Sequence, residues 1–255
     1  MHWSYPTAKR RKGSMTNITW YRAAYALFKK DLRAEFRTKT ALSALGVFSL
    51  SALLLLAFAT STLKQVIYFD NVSGTTQFAW KSASKFGILW VIFFFAAFSG
   101  LGHSFVHEEE GGTTTALRLR MSPEAVYVGK LALNFVIIFS VAVFVTPLYM
   151  LVTDLPIGVP FLFILVMISG CLGLSAAATV VAAISAKAQN KGALFPALGL
   201  PLIVVFLLLL MSAGTTLFSE VAEMRNPLRD IGGLFSYAVL LITVSALVFR
   251  YIWEE

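Results

Sequence analysis

Charge is scarce in this sequence and cysteine is nearly absent. Asp, Glu, Lys and Arg make up 13% of the 255 residues and are gathered into short islands, while 58% of the chain is hydrophobic. A soluble domain, which has about a quarter of its residues charged to cover its surface, is excluded. What remains is an integral membrane protein. The one cysteine, Cys171, lies inside an apolar run, so it makes no internal disulfide and reads as a small packing residue. No G-x-x-x-x-G-K-[ST] loop is present: Gly129 and Lys130 are followed by Leu131, and Lys130 reads as a span-entrance lysine that snorkels to the headgroups. Any ATP hydrolysis therefore belongs to another chain. The zinc-protease pattern H-E-x-x-H also fails, because Gly111 stands three residues after Glu108. Residues 1–14 lack the apolar stretch of a cleavable signal peptide. With K-R-R-K near their end they read as a disordered basic tail, or alternatively as an anchor on anionic lipid.

What the sequence does have is apolar length. Six segments are long enough to cross ~30 Å of hydrocarbon at ~1.5 Å per residue, at 41–63, 86–106, 126–152, 157–184, 192–212 and 231–252. The expected fold is all-α, with residues 15–255 forming a single six-span membrane domain. Five of the 21 Lys and Arg residues, Lys64, Lys81, Lys85, Arg225 and Arg229, fall in the loops after the first, third and fifth segments. All the others lie in the N-terminal arm, around the second and fourth loops, or at the C-terminal end. Lys and Arg gather on the cytoplasmic side, so both termini and the stretch 102–130 are expected there, in a multi-pass membrane protein. The net charge of +8 reflects that asymmetry, and no nucleic-acid partner is expected.

Details inside the segments predict packing. Ser169, Gly173 and Ala177 recur every four residues in the fourth, a small-xxx-small stripe that serves either ordinary packing or a dimer seam. Pro196, Gly199 and Pro201 predict a kinked or partly unwound fifth segment. Beyond it, 214–230 is too polar to span yet holds Leu217, Phe218 and Val221, which predicts a short re-entrant or interfacial helix.

Before the first segment, 20–39 is amphipathic. At 100° per residue Trp20, Tyr21, Ala24, Leu27, Phe28, Leu32 and Phe36 share one arc, and Arg22, Lys29, Lys30, Arg33 and Arg37 the other. Such a helix lies in the membrane interface, against lipid headgroups. Asp31 and Glu35, one turn apart, point into the apolar half. Either a basic residue of another segment meets them, or the helix is rotated and they face water.

The stretch 102–130 is the polar island between the second and third segments. Glu108, Glu109 and Glu110 are followed by a Gly pair that breaks a helix, by threonines able to cap a new one, and by Leu117 and Leu119 flanked by Arg118 and Arg120. This pattern describes a short surface helix that docks a partner, with the carboxylates facing basic groups. His103 and His107 have the i, i+4 spacing of a metal or haem ligand pair. Two ligands do not complete a site, and they read as an interfacial pair.

The arm K-K-D-L-R-A-E-F-R-T-K, the loop F-V-H-E-E-E-G-G-T with A-L-R-L and S-P-E-A-V-Y-V-G-K after it, and S-A-K-A-Q-N-K-G-A-L before L-P-L together resemble the CcmB family, the permeases of the cytochrome c maturation haem exporter. The likeness runs from about residue 25 to 250. E-x-x-x-G-T and G-K are shared with type-2 ABC permeases at large, whereas D-L-x-x-E-x-R points to the haem-exporter branch. Many members place a proline directly after L-x-L; here Arg120 stands there and Pro123 follows three later.

The resemblance implies a non-catalytic, six-helix ABC-2 type permease with a cytoplasmic elbow helix and a coupling helix, homodimeric over a dimer of a separate ABC ATPase. Its other partners would be a haem-handling membrane protein, a small single-span protein, the periplasmic haem chaperone and membrane lipids. ATP and Mg would sit on the ATPase and haem would be handled by the complex, with no cofactor bound here, since the W-G-x-x-W motif of the haem-handling partner is missing. Asp31 and Glu35, with Arg37 beside them, match the elbow; Glu108, Gly112, Thr113, Leu117 and Leu119 match the coupling element, with Glu109 and Glu110 in the same run. Two other readings stay open: an ABC permease for a lipid, polysaccharide or drug, and an intramembrane enzyme built on His103, His107 and the Glu run.

Overall fold

The computed structural model describes residues 20–66, 74–101, 121–156, 159–187, 191–218 and 227–254. They form seven helices: α1 (Trp20–Thr38), α2 (Thr40–Val66), α3 (Gly74–Leu101), α4 (Pro123–Thr153), α5 (Pro160–Lys187), α6 (Lys191–Phe218) and α7 (Pro227–Glu254). No strand occurs among the described residues. Three of the helices open on proline, at Pro123, Pro160 and Pro227, where the missing N–H removes no helical bond and the fixed φ suits the first turn. Four helices are long and apolar enough to cross a membrane: α3 from Ser84 onward, α4, α5 up to Ile184, and α7. A fifth crossing arises if α1 and the first part of α2, bent by 60°, are taken together, and α6 contributes a shorter apolar stretch, Val204–Phe218.

The helices α2 to α7 alternate in direction, and two ends of the bundle are defined by cross-helix contacts. At one end Leu45, early in α2, packs on Gly100, late in α3, and Glu124 opens α4 beside Arg250 near the end of α7. At the other end the Tyr149 hydroxyl, late in α4, donates to the Lys85 carbonyl of α3 at 2.7 Å. Lys85 Nζ in turn donates to the carbonyls of Thr153 and Asp154, satisfying acceptors that the end of α4 leaves open. Phe86 gathers Trp90, Phe163 of α5 and Phe218 of α6 around it at ring separations of 5.7 to 6.1 Å. Helix α5 occupies the middle, in contact with α3, α4, α6 and α7. Its apolar surface is continuous all round: from Ser169 to Ala183 it is almost wholly buried among its neighbours, while Phe161, Ile164 and Ile168 nearer its start are exposed.

Helix positions follow the apolar segments, with departures. Helix α3 begins at Gly74 instead of Phe86, carrying Lys81 and Lys85 inside it, because hydropathy marks where a helix enters lipid and not where its hydrogen bonds start. Helix α6 is unbroken across Pro196 and Pro201, so the expected unwinding does not occur. The expected separate helix over 214–230 is not formed as such: Gly214 to Phe218 end α6, Pro227 to Asp230 begin α7, and Val221 lies outside the described residues. The small-residue stripe works as packing within this chain, since Ser169 and Ala177 are buried and Gly173 receives the Phe206 ring of α6. The basic tail 1–14 lies outside the described residues.

Candidate functional site

Helix α1 meets the bundle with the face that carries its acids. Ala24, Leu27 and Asp31 are buried, Phe28, Leu32 and Glu35 half-buried, and the bases Arg22, Lys29, Lys30, Arg33 and Arg37 are exposed. Trp20, Tyr21 and Phe36, expected on the apolar arc, stay exposed with Tyr25, so the packing face is narrower than the apolar arc. Of the two possibilities for the carboxylates, the inward one is realised. Asp31, 8% exposed, has Oδ2 at 2.9 Å from Nζ of Lys130, which is 2% exposed. The contact is an ion pair without the alignment of a full hydrogen bond. Lys30 reaches Asp31 Oδ1 from the outer side at 3.0 Å.

Lys130 therefore does not snorkel. It sits in the second turn of α4 and turns toward α1, and the apolar surroundings make its pairing obligatory: removing one partner of a buried pair costs about 3 to 5 kcal/mol. The residue before it makes the approach possible. A Cβ on Gly129 would fall 3.0 Å from the Ala24 carbonyl oxygen and 3.2 Å from the Leu27 side chain, so any larger residue would push α1 outward by a few tenths of an ångström.

Glu35 holds the other side of α1. Its Oε1 accepts the Leu42 N–H at 2.9 Å, taking one of the donors that the first turn of α2 leaves unpaired. Between the helices Lys39 adopts a left-handed φ of 55° and its N–H donates to the Glu35 carbonyl, which ends α1 and turns the chain into α2. Arg37 lies exposed in the last turn of α1, where a cation suits the helix dipole. Asp31, Glu35 and Gly129 thus fasten α1 to both α4 and α2.

The start of α4 is well defined. Ser122 caps it by accepting the Ala125 N–H at 3.3 Å, Pro123 follows, and Glu124 lies in the first turn. The expected coupling residues Glu108, Glu109, Glu110, Gly112, Thr113, Leu117 and Leu119, and the pair His103 and His107, fall in 102–120, outside the described residues. Among the described residues no three ligand-type side chains converge as a metal site. A cleft of about 280 Å³ between α3 and α6, lined by Trp90, Val91, Leu207 and Met211 among others, is almost wholly apolar.

The chain matches the family described as CcmB protein over residues 22–249. The chain belongs to the CcmB family. A search of curated proteins returns no match. CcmB membership makes the chain a membrane permease component of haem export in cytochrome c biogenesis, non-catalytic itself. Every residue that fastens α1 lies within the CcmB match. Sequence reasoning missed Lys130 as the partner of Asp31, although a signal existed. A lysine two turns inside an apolar helix and an aspartate on the apolar side of another helix are each costly alone, so they are candidates for each other.

Proposed function

We propose that the chain is the membrane component through which a separate ATPase drives the cytochrome c maturation haem exporter. The observation that carries this reading is the CcmB match over 22–249. In this reading α2 to α7 are six crossings, and α1 is a cytoplasmic elbow at the headgroups. The segment 108–119 is a coupling helix seated on the ATPase, whose nucleotide-driven closure moves the helices on either side of it. Two copies stand over an ATPase dimer that holds ATP and Mg. With them are a haem-handling membrane protein, a small single-span protein and the periplasmic haem chaperone, whose release ATP turnover drives. The exposed aromatics and bases of α1 support a place at the inner-membrane surface, where rings sit at headgroup level and cations meet anionic lipid.

The test is co-purification. Burying a leucine contributes about 1.5 to 3 kcal/mol, whereas an exposed carboxylate contributes about 1 kcal/mol or less. Leu117→Asp is therefore expected to dislodge the ATPase at any salt. Glu108→Lys should weaken it in a salt-dependent way and uncouple ATP turnover from cytochrome c maturation. Full ATPase retention and normal maturation with Leu117→Asp would remove 108–119 from the coupling role.

A further inference from the structure

The acids of α1 do not face outward. Had Asp31 and Glu35 been meant for a partner chain, they would lie with Arg22, Lys29 and Arg33 on the exposed side; instead both are consumed inside the chain. Asp31 binds the second turn of α4, and Glu35 binds the first turn of α2. The two helices they reach are the ones whose starts are exposed to different pulls. Helix α4 begins directly after the segment 102–120, and α2 begins directly after α1.

We infer that Asp31 and Lys130 form a joint that makes α1 and the start of α4 move as one body, so that displacement of α4 from its preceding segment is passed through α1 to α2. Three features make the joint stiff. The ion pair is buried on both sides, so water does not compete for either charge. Gly129 lets the Ala24 carbonyl and the Leu27 side chain rest directly against the backbone of α4, so the two helices meet without an intervening flexible side chain on α4. The α1 to α2 corner is held by the Glu35 contact with Leu42 and by the hydrogen bond closing at Lys39, so rotation of α1 carries the start of α2 with it. Asp31, Glu35 and Lys130 are thereby positioning residues. They touch no cargo, and they set the angle between the helix after the polar island and the first helix of the bundle. The inference rests on the coupling role proposed for 108–119, and the residues it assigns are separate from that segment.

The experiment uses the whole complex. Ala24→Cys, whose side chain is buried between α1 and α4, reports on the joint through maleimide labelling, and Cys171 is buried in the core and does not compete. In that background Asp31→Asn keeps the volume and removes the charge. The expected result is about tenfold faster labelling and about tenfold lower cytochrome c maturation, with the ATPase still co-purifying and still hydrolysing ATP. The exchange Asp31→Lys with Lys130→Asp should return both to near the starting values, which a residue needed only for folding space would not do. Should Asp31→Asn fail to assemble, the exchange variant alone carries the test, through restored assembly and maturation. Unchanged labelling in Asp31→Asn, normal maturation despite faster labelling, or an exchange that restores neither would each overturn the joint. Loss of the ATPase from the unaltered chain would instead overturn the permease reading beneath it.

Discussion

Glu35 receives two hydrogen bonds from the chain that follows it, one at its carbonyl from Lys39 and one at Oε1 from Leu42. The second replaces an N-cap that Lys39 has no side-chain oxygen to provide. Losing a cap of this kind costs about 1 kcal/mol, a factor of about five in local opening. Glu35→Ala is expected to speed amide exchange at Leu42 by about that factor, while Glu35→Gln, which keeps an acceptor oxygen, should leave it close to the starting rate. Equal acceleration in both variants would mean that charge, not capping, is what Glu35 supplies. That Asp31 and Glu35 lie on the apolar side of α1 was legible from the 100° spacing, because a face is a local property of one helix; that this side turns inward and not to water was not. Nor were their partners. Lys130 is remote in sequence and its neighbours look like an ordinary span entrance, so the pair emerges only when α1 is laid on α4. Gly129 was likewise read as part of a motif fragment, whereas its role is the absence of a side chain beside Ala24.

Helices are held together here by small residues receiving rings. Gly170 of α5 accepts the Trp90 indole and Gly173 accepts the Phe206 ring, so α3 and α6 both lock onto one central helix. Within a membrane no hydrophobic gradient drives such contacts, and close packing has to supply the attraction. Gly173→Leu would fill the space of the Phe206 ring, and overpacking of this kind costs about 1 to 3 kcal/mol. The expected outcome is a several-fold shorter half-life of the purified chain at a fixed elevated temperature, the appropriate measure for a protein that unfolds irreversibly. Gly46→Leu is the internal control, because nothing lies within 4 Å of a Cβ there and the half-life should hold. Similar losses at both positions would show that glycine is kept for backbone reasons and not for ring packing. The stripe Ser169, Gly173 and Ala177 was readable as a packing face from its period of four. That Gly173 of this stripe receives the Phe206 ring of α6, and that Gly170 beside it receives Trp90 of α3, was not readable, since a period names the face and leaves the neighbour open. Asn134, buried in α4, donates to Thr179 of α5 at 2.8 Å and adds a polar tie between the same layers, worth about 0.6 kcal/mol by the usual measure for membrane helices.

At the scale of the molecule, apolar length located every helix after α1, because a chain crossing lipid must satisfy its backbone internally and only helices do so here. The number of crossings is a separate question, since α2 meets the length test only as a bent pair with α1, and α6 contributes only Val204–Phe218. Alternating direction makes the question testable. The start of α4 lies beside the end of α7, through Glu124 and Arg250 at 3.9 Å, and α1 lies on the start of α4 through Asp31 and Lys130. Helix α1, the end of α3, the start of α4 and the end of α7 therefore share one face, which among the described residues carries Arg22, Lys29, Lys30, Arg33, Arg37, Lys39, Lys130 and Arg250. Positive charge is retained in the cytoplasm, so that face is expected inside. A reporter active only in the periplasm should be silent when fused at Thr114, at Gln189 and after Trp253, and active at Val72 and at Glu223. The pair at Gln189 and Glu223 brackets α6: opposite signals mean that α6 crosses, equal signals mean that it does not. An N-terminal fusion and Val72 bracket α1 with α2 in the same way. Activity at Thr114 would reverse the orientation and, with it, remove the ATPase from the side on which 108–119 is available.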